Sequence, residues 1–320
     1  MKAFVTGGAG FIGSHLVDYL LSLGWKVSVY DNLSSGKMDF VLHNLNNPGF
    51  KFTKEDLLNS TNLTESIKGH DLVFHLSANP EPRLSHVDTS LDLNQEIVAT
   101  YNLLEAMRKN SINKIIFASS SVVYGEGSQS LQPIPEDFGP LFPVSLYGAG
   151  KMASEGLISA YCGTFGFQAW IFRFANIVGG RATHGVIYDF TNKLLKNKSS
   201  LEILGNGKQE KTYLHVSDCV KGIMYGFLNS NQQINYFNLG SESTVCVLKI
   251  AEIVIDVLSL KDVRLSFTGG DRGWPGDVPL IKLDVNKMRK LGWEAGIDGV
   301  PAIRLAAQQI CKQLNAPEVY

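Results

Sequence analysis

Tyr147 and Lys151 stand four residues apart in Tyr-Gly-Ala-Gly-Lys. On a helix, positions i and i+4 share one face a single turn apart, so this spacing sets a phenol beside an ammonium. A free phenol, with a pKa of about 10, is a poor base at neutral pH. Matching it to pH 7 takes roughly 4 kcal/mol of preferential phenolate stabilisation, part of which a neighbouring lysine supplies. The same spacing also occurs on any amphipathic helix with a snorkelling lysine, so its weight depends on its company. That company includes Ser119-Ser120-Ser121-Val122-Val123-Tyr124-Gly125. It follows the apolar run Lys114–Ala118, and the carboxyl end of a central strand is where α/β sheets place their chemistry. A hydroxyl there can hydrogen-bond a substrate oxygen as its proton moves. Taken alone, a serine cluster is equally an ordinary strand-end turn.

A third element opens the chain. Thr6-Gly7-Gly8-Ala9-Gly10-Phe11-Ile12-Gly13 follows the first predicted strand and starts the first predicted helix. Glycines there permit a tight turn, close approach of backbone N–H groups to a pyrophosphate, and helix packing on the strand. The helix N-terminus adds partial positive charge for the phosphates. Asp31 ends the second predicted strand about 20 residues on, the distance at which an acid receives a ribose hydroxyl. A carboxylate accepts from the 2′- and 3′-hydroxyls and repels a 2′-phosphate, and no arginine stands beside it, so the expected cofactor is NAD and not NADP. The plainer reading of Asp31 is a cap for the loop Asn32-Leu33-Ser34-Ser35-Gly36.

These residues need a scaffold, and the hydrophobic rhythm provides one. Short apolar runs at Lys2–Thr6, Lys26–Tyr30, Leu72–His75, Lys114–Ala118 and Gln168–Phe174 read as strands. Helical patterns fall near Ile12–Leu23, Thr61–Lys68, Val87–Lys109 and Ser145–Phe165. Strands alternating with helices predict an α/β, Rossmann-like, doubly wound parallel sheet covered on both faces. After about residue 175 the pattern changes, with helices near Val186–Lys196, Ser217–Leu228, Val247–Leu258 and Pro301–Leu314 among short strands and polar loops. The expected division is residues 1–175 as the NAD-binding domain and 176–320, mainly, as a smaller α/β substrate-binding lobe. Some of its segments could return to the first domain, and the ligand crevice is expected between the two.

Composition narrows the classes further. The 320 residues carry 29 Lys+Arg against 30 Asp+Glu, a net charge of −1, and 44% of them are hydrophobic. Such a chain offers no basic field for nucleic acid and no polybasic surface for anionic lipid. Cys162, Cys219, Cys246 and Cys311 lie far apart without a CxxC pair, which argues against a disulfide framework or structural metal site and suits a reducing compartment. Met1-Lys2 runs directly into the glycine motif, and the uncharged stretch Gly156 to Phe172 contains Gln168 and several glycines. The expectation is a cytoplasmic protein without a signal peptide or membrane span.

The glycine motif, Asp31, the serine cluster and YxxxK in this order resemble the extended short-chain dehydrogenase/reductase family, the NAD-dependent epimerase/dehydratases, over about residues 1–315. Further matching pieces are Asp31–Gly36, Asp56-Leu57, His75-Leu76-Ser77-Ala78, Pro143–Lys151, Arg173–Gly179 and Gly205–Asp218. The resemblance implies NAD contacts from Gly7, Gly10, Phe11, Ile12, Gly13, Asp31, Asn32, Asp56, Leu57, Leu76, Ser77, Ala78, Tyr147, Lys151 and Phe174. It implies Tyr147 as base, Lys151 as its electrostatic partner and nicotinamide-ribose ligand, and Ser120 as the hydroxyl near the sugar's O4. Ser121, Asn176, Lys211 and Arg272 would join Ser120 and Tyr147 in holding a UDP-sugar. Family members usually pair as homodimers through a four-helix bundle, here the helices near 87–109 and 145–165.

Three positions depart from the family pattern. Gly150 replaces the usual serine before the lysine. Glu96 stands where an asparagine is common. Lys211 replaces a phosphate-binding arginine, keeping the charge but losing the bidentate fork. Sugar dehydratases of the family follow the catalytic hydroxyl with an Asp-Glu pair, and UDP-glucuronate decarboxylases tend to carry Glu at the second of those positions. Ser121 and Val122 occupy them here. Neither can carry that proton, so the resemblance implies reversible oxidation at C4, interconverting UDP-glucose and UDP-galactose. Ile281 stands where some members restricted to non-acetylated hexoses carry a gating tyrosine. It reads equally as a wider pocket or a core isoleucine. The alternatives are a 4-epimerase acting on a UDP-N-acetylhexosamine or UDP-glucuronate, a nucleotide-sugar reductase, and a nucleotide sensor without turnover.

Overall fold

A computed structural model describes residues 1–126 and 130–314, apart from the His86 side chain. Residues cluster into two compact units. The first comprises 1–123, 146–173 and 223–237, and the second comprises 124–145, 174–222 and 238 onward.

In the first unit the strands are β1 (Lys2–Thr6), β2 (Lys26–Asp31), β3 (Phe50–Lys54), β4 (Leu72–His75), β5 (Lys114–Ser120) and β6 (Gln168–Phe174). Its helices are α1 (Phe11–Ser22), α2 (Ser60–Ser66), α3 (Ser90–Asp92), α4 (Ala99–Lys109) and α5 (Leu146–Phe165). With β10 (Ile234–Leu239) these strands form a seven-stranded sheet in the order β10-β6-β5-β4-β1-β2-β3. β1 pairs in parallel with β2 and β4, β2 with β3, and β4 with β5. The chain works outward in one direction from β1 and then reverses, the doubly wound pattern that opens a crevice at the strands' carboxyl ends.

The fully apolar strands are buried on both faces, as parallel sheets require. On one face Phe4, Val73, Ile115 and Phe117 pack with Leu103, Met107 and Ile158 from α4 and α5. On the other, Trp170 and Phe227 meet edge to face at 4.9 Å, and Phe227 also contacts Phe74 and Trp25.

The second unit contains β7 (Asn176–Val178), β8 (Ser200–Ile203), β9 (Glu210–His215), β11 (Thr244–Cys246), β12 (Arg264–Phe267) and β13 (Leu280–Ile281). β7, β11 and β13 each pair with β9, and β8 pairs with β12. Around them lie α6 (Val186–Lys196), α8 (Val247–Val257), α9 (Asn286–Leu291) and α10 (Gly299–Gln313), while α7 (Val216–Asn229) runs from this unit into the first.

The predicted strands are present, and two members of the large sheet are additions. β3 has only half-buried and exposed residues, so its apolar signal is weak. β10 is remote in sequence and joins the sheet beside β6. The predicted continuous helix Val87–Lys109 is corrected: α3 is a single turn, Leu93–Val98 is π-helical, and only Ala99–Lys109 is a regular α-helix.

One buried ion pair joins three elements of the first unit. Arg173 on β6 grips Glu155 on α5 with both Nε (3.0 Å) and Nη2 (2.7 Å), and Ser119 on β5 donates its hydroxyl to the same carboxylate. The two charged side chains are 9% and 11% exposed, which places them among buried pairs, where removing one partner strands a charge at a cost of about 3–5 kcal/mol. Glu155→Ala is therefore expected to lower the urea midpoint by an amount worth about 3 kcal/mol at unchanged m-value. An unshifted midpoint would show that the pair contributes nothing net.

Candidate active site

The glycine loop is tied together by main-chain geometry. Gly7 has φ +69° and its amide donates to the Tyr30 carbonyl at 3.1 Å. A Cβ there would lie 2.7 Å from the Ser77 amide nitrogen, so only glycine lets β1 and the segment after β4 approach. Gly10 is the N-cap of α1, and no side chain bonds to the cap, which leaves the first-turn amides facing outward for an anion. Asp31 is 8% exposed and accepts from the Ala9 amide (2.9 Å) and the Leu33 amide (2.8 Å). Burial raises its pKa, and those two hydrogen bonds oppose the rise. Each carboxylate oxygen keeps a second lone-pair direction, so Asp31 both caps the loop and can accept from a ribose. The two readings of this residue do not compete.

Asn32 donates to the Asp56 carboxylate at 2.7 Å, joining the ends of β2 and β3. Phe11, Ile12, Leu76, Ser77 and Ala78 are half-buried around this rim, and Gly13 is buried. Leu57 differs from its neighbours, because its side chain belongs to the hydrophobic core. A loop of this form, with an uncapped helix N-terminus and a buried acid ending β2, fits a dinucleotide with free ribose hydroxyls.

The second cluster is built by β5 and α5. Tyr147 and Lys151 occupy adjacent turns of α5, and the Lys151 ammonium lies 5.6 Å from the centre of the Tyr147 ring. Lys151 is 1% exposed, donates to the Ala118 carbonyl at 2.9 Å, and lies 4.9 Å from the centre of the Phe117 ring. An ammonium held beside the ring favours the phenolate over the phenol. Tyr147 is half-buried and hydrogen-bonded to Ser120, which pulls its pKa down, while burial and the carboxylates Glu96 and Asp92 push it higher still. Ser121, buried, and Val122 follow Ser120 in a short 3₁₀ turn.

A network that the sequence reading did not assemble lies behind this pair. Glu96, on the π-helical turn, is 1% exposed, with Oε2 3.1 Å from Lys151 Nζ and Oε1 accepting from the Asn79 amide at 3.0 Å. Asn79 also donates to Asp92 at 2.9 Å, and Ser85 donates to the same carboxylate. The Thr100 and Ser154 hydroxyls both donate to the Glu96 carbonyl, at 2.5 and 3.1 Å. Thr100 also contacts His75, which in turn bonds Thr6, and burial with the nearby Lys151 pushes His75 down to about 3, so it is neutral.

In the second unit, Lys211 forms an ion pair with Asp277, and Arg272 pairs with Glu126 and donates to the Asp277 carbonyl. Asn176 donates to the Thr212 carbonyl at 3.3 Å, Phe174 is buried, and Ile281 is core, 4% exposed. Both cations expected at a phosphate are thus held by carboxylates. No group of three or more His, Cys, Asp or Glu among the described residues is placed to hold a metal ion. No described helix is long and apolar enough to cross a membrane.

Comparison with known proteins shows the family. A model of the NAD dependent epimerase/dehydratase family matches residues 3–240. The chain belongs to that family. It is an NAD-dependent enzyme. A relative described as a putative UDP-glucose 4-epimerase from Methanocaldococcus jannaschii is 34% identical over 301 residues, 92% of this chain and 93% of the relative. A crystal structure of a UDP-galactose 4-epimerase is 41% identical, with a TM-score of 0.87 over 98% of this chain and all of that one. A UDP-glucuronic acid 4-epimerase from Bacillus cereus, solved with UDP-glucuronic acid and NAD, is 29% identical with a TM-score of 0.88 over the same share of this chain and 100% of its own.

Gly150 shows how closely α5 meets the π-helical turn. A Cβ at 150 would lie 2.8 Å from Glu96 Cβ and 2.9 Å from Cγ. Alanine would gain about 1 kcal/mol of helix propensity but force an overpacked contact worth about 1–3 kcal/mol. Gly150→Ala is therefore expected to lower the thermal midpoint. A raised midpoint would mean the two segments separate freely.

Proposed function

We propose that the protein is a UDP-hexose 4-epimerase that interconverts UDP-glucose and UDP-galactose by transient oxidation at C4. The observation that carries this reading is the Tyr147 phenol, hydrogen-bonded to Ser120 and a turn from the buried Lys151 ammonium, with Ser121 and Val122 where a second acid–base pair would stand. One proton-transfer group at one carbon suits oxidation and reduction there. It does not suit loss of water, which needs a further acid–base pair, and Val122 stands where UDP-glucuronate decarboxylases tend to carry a glutamate. The similarity to a UDP-galactose 4-epimerase over nearly the whole chain supports the same reading.

In this reading the glycine loop, Asp31, Asn32 and Asp56 hold the dinucleotide, with Asp31 accepting from the adenosine ribose. NAD, when bound, supplies a reversible hydride acceptor, so that C4 is oxidised and then reduced on its other face without an outside reductant. The Tyr147 phenolate takes the proton of the 4-hydroxyl and later returns one. Ser120 hydrogen-bonds the same sugar oxygen and keeps it against the phenol. Lys151 spends two of its three N–H donors on Ala118 and Glu96, leaving the third for a cofactor ribose hydroxyl. Ser121, Asn176, Lys211 and Arg272 are the proposed holders of the UDP-sugar. For the two cations this means exchanging Asp277 and Glu126 for phosphate. The exposed Leu93, Tyr101 and Phe165 on and beside α4 and α5 support pairing of two chains there, and the reading carries with it a cytoplasmic homodimer.

The deciding experiment incubates the purified protein with a panel of UDP-hexoses, acetylated and C6-oxidised members included, without added cofactor, followed by NMR of the products. UDP-galactose forming from UDP-glucose is expected. Turnover of only an acetylated or C6-oxidised sugar would move the assignment to that sugar, and no turnover on any would end it. Tyr147→Phe should lose at least about a hundredfold in kcat, the scale of general acid–base catalysis, while still copurifying with NAD. Near-normal turnover of that variant would remove Tyr147 as the base.

A further inference from the structure

Four features converge on Glu96. It projects from the only π-helical turn among the described residues, an extra-residue distortion that often marks a working position. Its carboxylate is buried and reaches the Lys151 ammonium at 3.1 Å. The facing helix carries glycine at 150, where any side chain would collide with it. Its own carbonyl is held by the hydroxyls of Thr100 and Ser154, so the turn that aims it is fastened on two sides.

The titratable and charged groups facing Glu96 are Lys151 and Tyr147 on α5, Asp92 on α3 and, across Lys151, His75 on β4. Lys151 is the one cation in that set. Asp92 is buried and occupied by Ser85 and Asn79, and His75 is neutral. A single buried ammonium cannot support a carboxylate and a phenolate at once, because unpaired buried charge is too costly.

We propose that Glu96 and Tyr147 share the one Lys151 ammonium, making Glu96 a positioning residue whose protonation frees Lys151 to support the Tyr147 phenolate. The charge balance closes. Phenol, carboxylate and ammonium sum to zero, and so do phenolate, carboxylic acid and ammonium; one proton passes from Tyr147 to Glu96 between the two forms. Burial, outweighing the pull of Lys151, pushes the Glu96 carboxyl up to about 7, so Glu96 can hold or release a proton near neutral pH.

The proposal rests on the reading of Tyr147 as base and is tested with Glu96→Gln, which keeps shape but cannot ionise. With its competitor gone, Lys151 should stay with the Tyr147 phenolate at every pH. At the foot of the acid limb of kcat/KM for UDP-glucose epimerisation, where Glu96 is already protonated, activity should stay within about twofold; the plateau above neutrality should rise about tenfold and the midpoint of the limb move up by about one pH unit, with KM changed less than about twofold. A purely structural glutamate would lower kcat at every pH and leave the limb in place, and that result overturns the proposal, as does a limb moved downward. A second readout needs no turnover. Infrared difference spectra of the purified protein should show a protonated carboxyl band that disappears as the pH rises through neutrality and is missing from Glu96→Gln; a band unaffected by the substitution overturns it. Should Glu96→Gln fail to fold, Glu96→Asn carries the same two expectations. A titrating band in a protein that epimerises no UDP-sugar would sink the proposed function and leave the shared ammonium standing.

Discussion

The arrangement of the first unit depends on one ammonium group taken out of water. Lys151 could not be buried at 1% exposure without partners, and each of its partners lies on a different element: the Ala118 carbonyl on β5, the Glu96 carboxylate on the π-helical turn, and the Tyr147 ring on its own helix. Satisfying that charge fixes how far α5 slides along the sheet. The phenol is thereby carried to the end of β5, within hydrogen-bond reach of Ser120. The Arg173–Glu155 pair makes a second attachment of α5 to the same sheet, one turn further along. Two buried ion pairs on one helix define its position more narrowly than apolar packing, which tolerates sliding.

The π-helical turn follows from the same demand. A regular helix through Leu93–Val98 would present its residues with the even period that the sequence suggests. One residue more in the turn rotates Glu96 inward, and the hydroxyls of Thr100 and Ser154 take up its displaced carbonyl. Gly150 is the complement on α5. Glu96 and Gly150, two residues read as departures from the family pattern, meet each other here, and a side chain at 150 would collide with Glu96.

The parts legible in sequence were those whose constraint is local. The glycine loop has to be glycine where backbones nearly touch, as at Gly7, and Asp31 has to follow at the end of the next strand; both are written as residue types at fixed spacing. YxxxK is local in the same way. The strands of the sheet interior were legible because burial on both faces leaves unbroken apolar runs. The edges were not: β3 is half exposed, and β10 reaches the sheet from a distant stretch of chain. The Glu96 network was hidden for a different reason. Hydrophobic period reports which face of a helix is buried, and it is blind to a single inserted residue and to a charge compensated from another element. The paired oddity of Glu96 and Gly150 was the available signal, and only their contact gives it meaning. Lys211 and Arg272 read as phosphate holders in the sequence, yet in the structure each is engaged by a carboxylate, Asp277 and Glu126, from a segment that no spacing rule connects.

Asp31 joins two tasks in one carboxylate. It closes the glycine loop through the Ala9 amide and the turn after β2 through the Leu33 amide. Exchanging it for a small neutral residue, the obvious route to accepting a phosphorylated ribose, would release both amides and slacken the loop meant to cradle the pyrophosphate. In the proposed reading, preference for the unphosphorylated coenzyme is thus secured by architecture as well as by charge repulsion, and redirecting it requires a replacement acceptor for the Ala9 amide alongside any new cation.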